Sequence, residues 1–116
     1  MLKKIEAIVR IERMPHIKER LEEIGIYGFA LSNIQTWRYE TTPTLPRFKG
    51  KPDIYDLVDK KKIDIIISED LVDSIIDAIK EQARTGGTNG QIGDGIIAVS
   101  SVEQFSSVAT LSNQSH

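Results

Sequence analysis

The stretch TGGTNGQIGDGII, from Thr85 to Ile97, places five glycines in thirteen residues, between a helix-like segment and an apolar run. Glycine lets the backbone take positive φ and come close to another group. Successive N–H groups in such a turn can converge on an anion, and phosphate is the common one. GDGIIA, Gly93 to Ala98, has the spelling G-x-G-x-x-A. The dinucleotide fingerprint needs a strand before it and a helix after it, and here the order is reversed. No Gly-Lys-Ser or Gly-Lys-Thr is present, so a Walker P-loop is also excluded. Two readings of the loop by itself remain. It is a backbone cradle for phosphate, or it is a connector in which Asn89-Gly90 and Asp94-Gly95 make turns.

Few other residues are placed for chemistry. The chain has no cysteine, which excludes disulfides, thiolate zinc sites and a cysteine nucleophile. His16 opens a helix and His116 is the final residue, so no spacing suggests a metal site. Glu22–Glu23 and Glu69–Asp70 read as solvated helix positions rather than a catalytic pair. No G-x-S-x-G elbow is present, and nothing supports an enzyme. Lys60, in DLVDK, reads by itself as one of three solvated lysines before a strand. Trp37, near a strand end, reads by itself as a packing residue.

The elements that must position these residues follow from periodicity. In KKIEAIVRIE, Ile5, Ala7, Val9 and Ile11 alternate with charges, the pattern of a strand with one face covered. Pro15 suits the first turn of a helix with the stripe Ile17, Leu21 and Ile24, and Gly25 ends it. IYGFALSNIQTWRY reads as a second strand. Residues 40–60 carry three prolines and a glycine and form a long loop, a type that is functional or disordered. KKIDIIIS is a third strand, apolar at consecutive positions as if both faces were covered. Ser68 is placed to cap a second helix, with Leu71, Val72, Ile75, Ile76 and Ile79 on its apolar face. IIAVSS follows the glycine loop as a fourth strand, and the tail from about residue 102 to 116 is polar. The order predicts a single α+β domain over 1–116, a ferredoxin-like βαββαβ sandwich with both helices on one sheet face. The other face needs cover from another subunit. The chain has 40% hydrophobic and 28% charged residues and a net charge of −2, so no basic field is available for nucleic acid. No apolar run reaches the roughly 18 residues of a membrane span, and the N-terminus is too charged for a signal peptide, so a cytoplasmic protein is expected.

KKIEAIVR, LEEIGIYGFALSNIQ, KKKIDIIISEDLVDSIIDAI and ARTGG…IGDGII together resemble the PII signal-transduction family, and TG-x-IGDG-x-I is the most specific element. The resemblance implies a homotrimer that binds an adenine nucleotide between subunits, often with 2-oxoglutarate. It also implies a T-loop, at about 39–60, that engages a membrane transporter or metabolic enzyme. Residues 85–95 match the family's B-loop, which wraps the phosphates. Thr85, Gly86, Ile92, Gly93, Asp94 and Gly95 match its motif. Ile8 and Ile66 take the places of apolar residues that line the base. Asp64 replaces a glutamate that reaches the ribose, and Trp37 replaces an apolar residue beside the cleft, a place that implies stacking on a base as the alternative to plain packing. Lys60 matches the lysine at the foot of the T-loop, which implies a partner for a small anion beside the reading as a solvated lysine.

The departures from the family pattern shape the ligand expected. Gly87, Thr88, Asn89, Gly90 and Gln91 intervene where one residue, commonly lysine, is usual. Ile96, Ser107 and Ala109 stand where the family has cations on phosphate, and the tail holds no Lys or Arg. Charge-assisted contacts are the strong ones, so AMP, ADP or a cyclic nucleotide loses less than ATP. Glu40 replaces the glutamine that positions Mg–ATP and 2-oxoglutarate, and its carboxylate repels a dicarboxylate. Asp53 stands in place of the modifiable tyrosine, with Tyr55 two positions on, so uridylylation at the usual site is excluded. The expected function is a non-catalytic sensor of AMP or ADP without a resident cofactor. One alternative is a sensor of inorganic carbon that binds bicarbonate with nucleotide, and another is a structural or adaptor trimer without ligand.

Overall fold

The computed structural model describes residues 1–39, 47–48, 51–52, 55–87, 89–91 and 93–109, with the backbone alone for 37–39, 47–48, 51–52, 55 and 56. In chain order the elements are β1 (Leu2–Arg10), α1 (Met14–Glu23), β2 (Ala30–Tyr39), the short β3 (Arg47–Phe48) and β4 (Lys51–Pro52), β5 (Tyr55–Ser68), α2 (Val72–Ala83) and β6 (Gly95–Ser101). Short 3₁₀ turns, Ile11–Arg13 and Glu69–Leu71, lead into the two helices. The main sheet has the order β2-β5-β1-β6 with antiparallel pairing throughout, and β3 pairs with β4 apart from it. This is the ferredoxin-like α+β architecture that the element order predicts.

Alternation in β1 sends Ile5, Ala7 and Val9 into the core, where Ile63 and Ile65 of β5 join them. Met14, Ile17 and Leu21 of α1 and Val72, Ile75 and Ile79 of α2 cover that face. The stripes form because positions three and four apart on a helix share a side. α1 ends in a Schellman motif: Gly25, at φ +92°, donates to Glu22 O at 3.0 Å, and Ile26 N–H reaches Leu21 O at 2.8 Å. Arg13 reaches the last turn of α2, where carbonyls lack helical partners, and donates from Nε to Gln82 O at 2.6 Å.

Three expectations change. The second strand begins at Ala30 rather than Ile26, whose side chain is drawn into the core. The expected loop 39–60 is shorter, because β2 runs to Tyr39 and β5 starts at Tyr55. The two strands pair from Tyr39↔Tyr55 to Ala30↔Asp64. Ser68 precedes a 3₁₀ turn, not the helix itself, and its hydroxyl bonds the Asp70 carboxylate instead of capping α2.

The second sheet face carries Lys4, Glu6, Ile8 and Arg10 from β1, Lys60, Lys62, Asp64 and Ile66 from β5, and Ile96 from β6. Ile66 is 43% and Ile96 66% exposed. Lys62 bonds Glu6 at 3.0 Å, which lowers the Glu6 pKa and raises that of Lys62. Among the described residues, no helix is long and apolar enough to cross a membrane.

Candidate functional site

The glycine loop is organised around one carboxylate. α2 stops at Ala83, and Arg84 turns to extended backbone. Gly86, Gly87, Gly90, Gly93 and Gly95 all take positive φ. Gly95 is required by close approach as well, since a Cβ there would lie 2.3 Å from the Ile8 carbonyl oxygen. The Asp94 carboxylate then gathers the loop. Thr85 N–H and Gln91 N–H each donate to Oδ2 at 2.8 Å. The Thr85 hydroxyl reaches Oδ1 at 2.5 Å, and Arg10 Nε donates to the same oxygen at 2.9 Å. Asp94 therefore holds the turn through local N–H groups and ties it to the end of β1.

Burial of the Asp94 carboxyl works to raise its pKa. The Thr85 hydroxyl, the N–H groups of Gln91 and Thr85, and Arg10 outweigh it and hold the group well below the usual carboxylate range. Asp94 is anionic at any physiological pH, and its charge is compensated by Arg10.

Lys60 stands where β1 and β2 both flank β5, opposite Arg10 on one side and Ile34 on the other. That position buries it to 8% exposure, so it is not one of a row of solvated lysines. Its ammonium donates to Gly93 O at 2.6 Å and so meets the loop from the open sheet face. A cavity of about 210 Å³ on that face is lined by Ile8, Thr36, Lys60, Gly93, Gly95 and Ile96. A second cavity, of about 260 Å³, lies across β6, with α2 on its other side and Asn89, Gly90 and Gln91 at its rim. Gly95 and Ile96 border both.

The structure thus brings Thr85, Gly86, Gly93, Asp94 and Gly95 into one loop and sets Ile8 and Lys60 beside it. Asp64 and Ile66 share the open face but lie farther along β5, roughly 13 and 20 Å from Lys60 at about 3.3 Å per residue. Asp64 Oδ1 is buried and accepts no hydrogen bond among the described residues, although Lys62 and Lys4 stand 3.8 and 3.9 Å away. Trp37 pairs with Leu57 in the β2–β5 arm; its side chain lies outside the described residues, as do Glu40, Asp53, Thr88 and Ile92. Ser107 and Ala109 are exposed and bring no charge.

Arg10 is the residue that sequence reasoning missed. Its signal was present: it continues the phase of Ile8 on the open face and is the last residue before the chain turns. Its partner is 84 positions away, which no local pattern encodes.

Comparisons with known proteins agree with this architecture. A family model described as nitrogen regulatory protein P-II matches residues 2–111. The nitrogen regulatory protein P-II of Bradyrhizobium diazoefficiens is 37% identical over 110 residues, covering 94% of this chain and 93% of that protein. Its counterpart from Porphyra purpurea is 38% identical over 109 residues, with 94% and 93% covered. The crystal structure of Arabidopsis thaliana PII bound to citrate superposes with a TM-score of 0.65 at 34% identity, over 87% of this chain and 74% of that one. With the family match spanning nearly all of it, on the fold and glycine-loop motif described above, the chain belongs to the nitrogen regulatory protein P-II family.

Proposed function

We propose that this protein is a non-catalytic, trimeric signalling protein that binds AMP or ADP between subunits and controls a transporter or enzyme through the T-loop. The observation that carries the reading is the clustering of Ile8, Lys60, Gly93 and Gly95 around one cavity at the mouth of the glycine loop. The positive-φ backbone supplies N–H groups for phosphate, and Ile8 supplies apolar surface for a base. Asp64 and Ile66 are too far along β5 to serve the same cavity. They suit the ribose and base of a nucleotide held by the neighbouring subunit's loop. Asp64 Oδ1, buried without a hydrogen-bond donor among the described residues, suits a ribose hydroxyl. Exposed Ile66 and Ile96 on the open sheet face support the closing of that face by other copies.

Phosphate binding rests here on backbone groups. Ile96, Ser107 and Ala109 contribute no cation, and Arg10 is engaged by Asp94. Each added phosphate loses hydration with little Coulomb return. AMP or ADP therefore binds at least as well as ATP, and 2-oxoglutarate does not enhance ATP binding. The ligand acts by population shift: partners distinguish the loop-ordered from the free state. A second reading, bicarbonate sensed with nucleotide, is favoured by Lys60, a buried lysine that lines the open-face cavity.

Calorimetry with AMP, ADP and ATP, with and without 2-oxoglutarate and bicarbonate, tests the reading, and light scattering tests the trimer. Gly93→Val should abolish nucleotide binding and leave the assembly intact. Tight ATP binding strengthened by 2-oxoglutarate would refute the argument from missing cations. The absence of binding heat with every adenine nucleotide would leave the adaptor trimer as the better account, and a monomer at micromolar concentration would remove the intersubunit cleft.

A further inference from the structure

We infer that the cavity on the helix side of β6 is a second ligand site, for a short-chain aliphatic carboxylate. Its floor is apolar, made by Val9, Ile79, Ala83 and Ile97. Lys80 and Arg84 stand at its mouth. These two cations lie one helical turn apart at the end of α2, so both side chains reach the same rim. Among the described residues, neither side chain has a hydrogen-bond or ion-pair partner, whereas Arg20, also on the helix layer, is tied to Glu23 and Glu81. Asp94 is the acid that borders the cavity, and Arg10 already compensates it. The mouth is therefore net positive and the floor apolar, which is the chemistry of an anion with an apolar body.

Size narrows the class. At about 260 Å³ the cavity lies below the roughly 300–1,000 Å³ of sites for drug-sized ligands, and it lies on the helix side of the sheet, where the proposed assembly adds no further wall as it would on the open face, so a short carboxylate fits and a nucleotide does not. Inorganic phosphate would leave the floor unused. The roof is the glycine loop: Gln91 N–H is bonded to Asp94, and Asp94 N–H to Gln91 O. A bound carboxylate would press on the same loop that faces the open-face cavity across Gly95 and Ile96. The site would thus report a second small molecule to the first.

The test is a titration of the full-length protein with 3-methylbutanoate, followed by amide chemical shifts. Isovaleramide, its neutral counterpart, and inorganic phosphate serve as comparison probes. Saturable shifts centred on residues 89–95 are expected with the carboxylate. The amide and phosphate should bind at least roughly tenfold more weakly, the scale of one charge-assisted contact or of a lost apolar floor. The double variant Lys80→Gln, Arg84→Gln, exposed and outside the packed core, should weaken the carboxylate by a similar factor with an unchanged melting temperature. Ala83→Leu, which fills the floor, should abolish binding. An absence of saturable shifts with the carboxylate, equal binding of the amide or of phosphate, or unaltered affinity in the double variant would each overturn the inference.

Discussion

Replacing Asp94 by asparagine tests the idea that one carboxylate organises the glycine loop. The wild-type group accepts from Thr85 N–H, Gln91 N–H, the Thr85 hydroxyl and Arg10 Nε, all within 2.9 Å. Asparagine keeps one acceptor oxygen, turns an NH₂ toward donors that already point inward, and removes the charge that pairs with Arg10. A charge-assisted bond contributes about 1.5–3 kcal/mol and a neutral one about 0.5–1.5. With side-chain exposure of 12% at Asp94 and 25% at Arg10 leaving some solvent screening, the net loss should be about 2–3 kcal/mol. For a chain of this length that corresponds to a fall in Tm of roughly 6–15 °C, measured at fixed protomer concentration because the proposed assembly would contribute to stability. Part of the loss should be local, so amide exchange at residues 85–95 should accelerate more than exchange in β1 or β5. The pH dependence has a definite sign. The folded-state pKa of Asp94 lies below its unfolded value of about 3.9. Its contribution is complete above that value, shrinks as pH falls below it, and is lost only below the depressed folded value. The gap between wild type and Asp94→Asn should be constant from neutral pH to about pH 5 and narrow below about pH 4. An unchanged Tm with unaltered exchange in the loop would refute the organising role.

Gly95→Ala should cost about 3 kcal/mol, since its Cβ would meet the Ile8 carbonyl oxygen at 2.3 Å. Gly87→Ala, with open space around it but φ at +120°, should cost only about 1–2 kcal/mol; thermal melts of the pair should rank them in that order. Lys60→Met keeps the buried stem and deletes the donor to Gly93 O, so it should lower stability by about 1–2 kcal/mol and weaken nucleotide binding in calorimetry. Arg13→Ala removes the bond to Gln82 O and a cation from the negative end of α2, for about 1 kcal/mol, visible as faster amide exchange in the last turn.

Elements with a local cause were legible in the chain itself. The period of two in KKIEAIVR and the helical stripes named the core face of β1, α1 and α2, because side-chain direction follows backbone repeat. Gly25 announced a helix end because only glycine takes its conformation without cost. The loop glycines and Asp94 announced a turn for the same kind of reason. What depended on distant partners was not legible. Tyr55 to Lys60 read as loop but became strand because β2 offered a ladder to pair with. Ser68 read as a helix cap, yet a 3₁₀ turn intervened and Asp70 took its hydroxyl. Lys60 was left open between ligand and solvent until β1 and β2 closed around it. The bond between Arg10 and Asp94, and the two cavities that share Gly95 and Ile96, exist only because β6 returns beside β1. Local propensity is written in neighbouring residues, whereas burial and ion pairing are set by which strands meet.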